Sequence, residues 1–154
     1  MRDGFVQRGG LWVVTQCALF GVVFALCVIH RGESKIPALV GLGLFFVTVS
    51  ACCGLAGMLA LGRNLSPFPK PVAKAKLVQR GIYGILRHPL YTSVSCGAIG
   101  WSLMRQSWTA LAVSLVLALF LDAKARREER WLEAQFPEYA DYAQRVHRFI
   151  PWVY

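Results

Sequence analysis

Charge is what this sequence lacks. Asp, Glu, Lys and Arg make up 16% of the 154 residues, against roughly 25% in soluble domains. Acidic residues are the scarcer sign, 8 against 17 basic. A small cytosolic enzyme needs a charged exterior that this composition does not supply, and the apolar residues are gathered into runs. Leu11 to Ile29 and Pro37 to Leu61 hold no charged residue. Each is long enough to cross about 30 Å of hydrocarbon as a helix rising about 1.5 Å per residue.

Other shortages exclude other classes. The chain has three histidines, His30, His88 and His147, too scattered in sequence to suggest a metal-ligand cluster. Cys17, Cys27, Cys52, Cys53 and Cys96 lie in apolar stretches, at spacings of neither a disulfide-stapled domain nor a CxxC metal site, and read as small core residues. There is no room for a separate nucleotide-binding domain beside several membrane helices, so a cofactor site must be built from helix ends and connections. No internal repeat is evident and the apolar runs carry few polar residues, which argues against transport. The net charge of +9 is read as contact with anionic headgroups rather than with nucleic acid.

The first run follows Arg2 and Arg8, and with no small-x-small cleavage pattern before His30 it reads as a retained helix. The second carries Gly41, Gly43, Gly54 and Gly57, which permit close helix contact within one chain or in a homo-oligomer. A basic connection then holds Pro67, Pro69, Pro71 and Pro89, with a short amphipathic helix predicted near Val72 to Val78. Leu90 to Leu121 fits one long span, or two short helices turning around Arg105-Gln106-Ser107. Charge decides for two. With four spans, only Arg31, Lys35 and Arg105 fall opposite the other 14 basic residues, an asymmetry that obeys the positive-inside rule with both termini cytoplasmic. The predicted fold is therefore an all-α polytopic membrane bundle of four helices, at 11–29, 37–61, 90–104 and 107–121. Cytoplasmic or interfacial helices follow within 122–149, one before Pro137 and one carrying Tyr139, Tyr142, Val146 and Phe149.

Two polar clusters fall on the cytoplasmic side of this topology. Arg87-His88-Pro89 stands at the mouth of the third span with Tyr91 one turn inside, because Pro89 suits the first turn of a helix. Taken singly, Arg87 would meet lipid phosphate and Tyr91 would be an interfacial anchor. The second cluster is Arg126-Arg127-Glu128-Glu129-Arg130. Adjacent glutamates point about 100° apart on a helix, so one can face the bundle while the other pairs outward with Lys124 or an arginine. An inward carboxylate facing a His-Arg-Tyr set makes a cradle for a zwitterion bearing ammonium and carboxylate groups.

Together these elements carry a resemblance. Gly62-Arg63-Asn64, Leu77-Val78, Gly81-x-Tyr83, Leu86-Arg87-His88-Pro89-x-Tyr91, Glu128-Glu129-x-x-Leu132, Phe136, Tyr139, Tyr142 and Arg148-Phe149-Ile150-Pro151 look like the isoprenylcysteine carboxyl methyltransferase and phospholipid methyltransferase superfamily, in a bacterial-type member. The resemblance covers roughly residues 60–154. It implies an integral enzyme of the bacterial inner membrane that uses S-adenosylmethionine to methylate a lipid or other hydrophobic molecule, such as an isoprenylcysteine-like carboxylate. It further implies that His88, Tyr91, Tyr83 and Gly81 line the cofactor pocket. Glu129, with Glu128 as partner, would take the cofactor's ammonium. His88, Glu129 and Arg87 would stand at the reaction, and Arg87 or Arg148 would order the site or meet an acidic substrate. Ser93 departs from the glycine that many members have two residues after the tyrosine, implying a less close backbone approach to the cofactor. The competing reading is a non-catalytic scaffold that binds anionic lipid or a protein partner through its basic face.

Overall fold

A computed structural model of the chain describes residues 5–6, 9–30, 32, 36–66, 68 and 76–154. Among the described residues there are five α-helices: α1 (Gly10–Ile29), α2 (Pro37–Leu61), α3 (Pro89–Arg105), α4 (Trp108–Gln135) and α5 (Tyr139–Arg145). Short 3-10 turns at Gly62–Asn64 and Gly81–Gly84 flank the basic connection. Val72 to Ala75 of the expected amphipathic helix, and Arg2, Arg8, Arg31, Lys35, Lys70 and Lys74 of the charge argument, lie outside the described residues.

Among the described residues, α1, α2 and α4 are long and apolar enough to cross a membrane. Large side chains such as Leu11, Phe24, Phe45, Leu59 and Leu119 are exposed on them, as suits helices surrounded by lipid rather than water. The helix α3 has 17 residues and is sheathed by its neighbours. Its packing on α2 follows from small residues. A Cβ on Gly43 would stand 2.6 Å from the Gly100 carbonyl, and one on Gly54 2.7 Å from Ser93 Oγ, so the two backbones touch where a larger residue would force them apart. These glycines are spent on contacts within the chain, whereas Gly41 faces open space.

Residues 90–121 form two helices. Gln106 takes a left-handed conformation, φ 53°, and closes α3. Ser107 then caps α4 by accepting from the Ala110 amide. Arg105 Nε donates to the Cys27 carbonyl at 2.9 Å and Gln106 Nε2 to the Ile36 carbonyl at 3.2 Å. The α3–α4 turn thus lies at the same end as the α1–α2 connection. The core beneath it is formed by Val23, Cys27, Ala98, Ala110, Leu117 and Leu121. Cys17 and Cys52 face outward instead of joining that core.

Two boundaries differ from the sequence expectation. The helix does not break after Leu121: α4 runs on to Gln135, because Asp122 to Gln135 is rich in Ala, Arg and Glu and contains no Gly or Pro. The last helix stops at Arg145 rather than continuing to Phe149. Beyond it, the His147 and Arg148 carbonyls accept from the amides of Arg87 and His88 at 2.8 and 3.1 Å. This strap, with an isolated parallel bridge between Leu86 and His147, replaces the helix.

Candidate functional site

The segment before α3 is shaped by its backbone. Gly81 has φ +64°, a value that L side chains rarely adopt, and opens the 3-10 turn that buries Tyr83. The Tyr83 carbonyl accepts from the Tyr142 hydroxyl at 2.6 Å, tying the turn to α5. Pro89 then starts α3, and Thr92 Oγ1 reaches the Phe149 carbonyl at 3.2 Å. The two clusters singled out in sequence meet between this segment, α4 and the tail.

Glu129 is enclosed by protein donors. Arg148 grips it with two bonds, Nε to Oε1 at 3.0 Å and Nη2 to Oε2 at 2.7 Å. Arg87 Nη2 lies 3.5 Å from Oε1, and His88 Nε2 lies 3.2 Å from the same oxygen. Burial by itself would raise this carboxyl, but the hydrogen bonds from His88 and Arg148 and the Arg87 charge outweigh it and hold it down at about 2. The ionised carboxylate only accepts, so His88 Nε2 carries the proton in this bond. The other side of Arg148 is held by Asp122 Oδ1 at 3.3 Å and the Tyr154 hydroxyl at 3.1 Å.

Glu128 is placed differently. The Tyr91 hydroxyl donates to its Oε2 at 2.7 Å, and His88 Nδ1 is 4.0 Å from that oxygen. Its side chain keeps 25% exposure where Glu129 keeps 9%, and the exposure is to a cavity. Burial raises the Glu128 carboxyl above its ordinary value, with His88, Tyr91 and Lys124 opposing the rise. The His88 and Tyr91 rings are parallel within 2° at 5.3 Å, and Phe149 packs on His88 at 5.9 Å.

The cavity has about 840 Å³ of empty space, the open solvent at its mouth included. Apolar wall comes from Leu61, Phe68, Leu77, Val78, Leu90, Leu132 and Phe136, and polar wall from Asn64, Ser66, Lys76, Tyr83, Arg87, His88, Tyr91, Glu128, Tyr139 and Tyr142. Burial pushes the Tyr83, Tyr139 and Tyr142 hydroxyls above their ordinary range, so they stand as neutral groups. Arg87 Nε and the Tyr139 hydroxyl are buried with no hydrogen-bond partner among the described residues. Both residues also line the cavity, and buried polar groups are in general paired, so these two are candidates to meet a bound molecule.

Of the residues singled out in sequence, Tyr83, Arg87, His88, Tyr91 and Glu128 line the cavity, while Gly81, Glu129 and Arg148 do not. Gly81 shapes the turn, and Arg148 orders Glu129. Lys124 is not an outward partner of a glutamate: it is buried against Gln16 of α1. Arg87 is likewise drawn to Glu129, with 12% of its side chain exposed, rather than extended toward headgroups. Ser93 Oγ donates to the Ser50 carbonyl at 2.7 Å, so the departure from glycine faces α2 and leaves the cavity wall untouched. Asp122, Tyr139 and Tyr154 were not among the expected site residues. Tyr139 stood in the motif, but nothing in the spacing marked the other two, whose contacts cross 26 and 32 residues of chain.

The chain is similar to several known proteins. A model of the phospholipid methyltransferase family matches residues 38–139. The cobalt-zinc-cadmium resistance protein CzcN of Cupriavidus metallidurans is 32% identical over 97% of this chain and 67% of its own length. The nickel-cobalt-cadmium resistance protein NccN of Alcaligenes xylosoxydans xylosoxydans is 40% identical over 97% of this chain and 68% of its own. Protein-S-isoprenylcysteine O-methyltransferase B of Arabidopsis thaliana is 35% identical over 51% of this chain and 41% of its own. Among solved structures, the eukaryotic intramembrane Ras methyltransferase ICMT superposes on 99% of this chain with a TM-score of 0.67 at 22% identity. That likeness is one of fold, and this chain spans 55% of the solved chain.

Proposed function

This chain belongs to the phospholipid methyltransferase family, and from that premise we propose that it transfers a methyl group from S-adenosylmethionine to a hydrophobic or lipid-like acceptor. The observation that carries the reading is a single cavity that presents the Glu128 carboxylate together with two buried, unmatched donors, Arg87 Nε and the Tyr139 hydroxyl. That donor set suits the amino-acid end of the methyl donor. Glu128 would take its ammonium, Arg87 and Tyr139 would donate to its carboxylate, and Leu77, Val78, Leu132 and Phe136 would cover the adenosyl part. S-adenosylmethionine, when bound, supplies an electrophilic methyl group on a positively charged sulfur.

The chain's own contribution is alignment and dryness. His88 and Tyr91 stack to form one wall, and Tyr91 holds Glu128 in place through its hydroxyl. Glu129 acts through Arg87, His88 and Arg148 and is a positioning residue in this account; Arg87 and His88 touch the ligand space. A carboxylate held at the donor's distant ammonium fixes position without favouring the sulfonium charge that is lost in transfer. A carboxylate or thiolate acceptor needs no proton removed, so alignment suffices for it.

Four membrane-crossing helices, with both termini and the cavity on the cytoplasmic side, complete the proposal. The contacts of Arg105 with Cys27 and of Gln106 with Ile36 support it, since they gather both outer connections at the end away from the cavity. A basic scaffold for anionic lipid has no use for a carboxylate facing a largely apolar cavity. The test is a transfer assay with isotopically labelled methyl donor and a bacterial lipid extract. Label is expected in the organic phase with wild-type protein and not with His88→Ala. Equal label from both contradicts the proposal.

A further inference from the structure

Lys124 lies on α4, one helical turn before Glu128, with only 1% of its surface exposed. Its ammonium donates to Gln16 Oε1 on α1 at 2.6 Å and lies 5.1 Å from the centre of the Tyr91 ring on α3. Tyr91 in turn donates to Glu128 Oε2. Gln16, Lys124, Tyr91 and Glu128 thus form a polar line from α1 to the cavity wall. Burying an ammonium is costly even when it is bonded, and an apolar side chain of similar length would fill the same space without that cost. The charge therefore calls for a use, and its field falls on Glu128.

We infer that Lys124 is a positioning residue for Glu128: held by Gln16 against Tyr91, its charge keeps Glu128 the ionised carboxylate that receives the ammonium of the methyl donor. This rests on the reading of Glu128 given above. Several groups surround that carboxylate. His88 and Tyr91 face it from the mouth of α3, Tyr83 from the 3-10 turn, Tyr139 from α5, and Lys124 and Glu129 from α4. Glu129 is a like charge, so His88 and Lys124 by their charge, and the Tyr91 hydroxyl by its hydrogen bond, are the groups that offset burial. Gln16 makes α1 part of the site although it contributes nothing to the cavity wall.

The test is calorimetric titration of S-adenosylmethionine into the full chain in lipid nanodiscs, from about pH 5 to about pH 8. Wild-type affinity falls on acidification as Glu128 protonates. In Lys124→Met the midpoint of that fall is expected about one pH unit higher, the size of a nearby opposite charge, with affinity at the alkaline end little changed. Lys124→Arg is expected to keep the wild-type midpoint. Unshifted midpoints, or an equal loss of affinity at every pH, overturn the inference, since a purely structural role gives the latter. If Lys124→Met does not fold, Gln16→Leu serves, because it releases the ammonium from its place. It is expected to raise the midpoint by a smaller amount, and an unchanged midpoint overturns the inference. Glu128→Gln separates the two ideas. A flattened profile there with no shift in Lys124→Met removes only the role of Lys124, whereas a wild-type profile in Glu128→Gln removes the reading of Glu128 itself.

Discussion

Arg148 holds both carboxylate oxygens of Glu129, at 2.7 and 3.0 Å. The adjacent glutamate is free of that clamp and ends at the cavity wall with the Tyr91 hydroxyl as its donor. Two neighbouring residues of one type are thereby placed differently: Glu129 joins the tail to α3 and α4, and Glu128 faces the cavity.

Their substitutions should separate accordingly. Glu129→Gln leaves Arg87 without its counter-charge and Arg148 with Asp122 alone, a loss of about 3 kcal/mol, and should lower the thermal midpoint by about 6 °C or more. Glu128→Gln removes a carboxylate whose burial is unfavourable, so its midpoint should stay or rise. Thermal unfolding of the two variants in one detergent checks this, and equal destabilisation contradicts it.

Acid should act on the two residues in sequence. Glu129 has its folded value depressed from 4.5 to about 2, so its stabilisation is present above pH 4.5 and is lost as pH falls from there toward 2. Glu128 is raised above 4.5 and protonates first. Titration of binding and of thermal midpoint on one preparation should show affinity lost at a higher pH than stability. Simultaneous loss contradicts the division of roles.

Much of this was legible in the chain. The partition of basic residues brought both polar clusters to one end, and Pro89 marked the start of α3 because a fixed φ suits a first helical turn. The assignment between the glutamates was the harder part, since residues 100° apart are told apart only by the rotation of α4. That rotation is set by a buried stripe, Leu117, Leu121 and Ala125, whose next step is Glu129. Extending the stripe past the last apolar residue would have placed Glu129 inside and Glu128 beside it. The strap from His147 to Phe149 was not legible, because it is made by backbone groups. Ser93 pointed the wrong way in sequence for a similar reason: its partner on α2, Ser50, is 43 residues away.

The α2–α3 seam gives a test of packing. Gly43→Leu would drive a side chain into the Gly100 carbonyl and Met104, and overpacking of this kind costs about 1–3 kcal/mol or more. Gly41→Leu meets open space and should leave the thermal midpoint unchanged. Matching losses in both variants contradict the seam.

Topology can be read with reporter fusions. A reporter after Arg105 should signal on the side of the membrane opposite to one placed after Tyr154. Signals on the same side contradict four crossings.

The most direct measurement is calorimetric titration of S-adenosylmethionine into wild-type protein and Glu128→Gln in lipid nanodiscs near neutral pH. Saturable one-site binding to wild type is expected, with at least a tenfold weaker affinity in Glu128→Gln, about the worth of one charge-assisted bond, and the thermal midpoint retained. No saturable binding to the wild type, or equal affinity for the two proteins, contradicts the proposal.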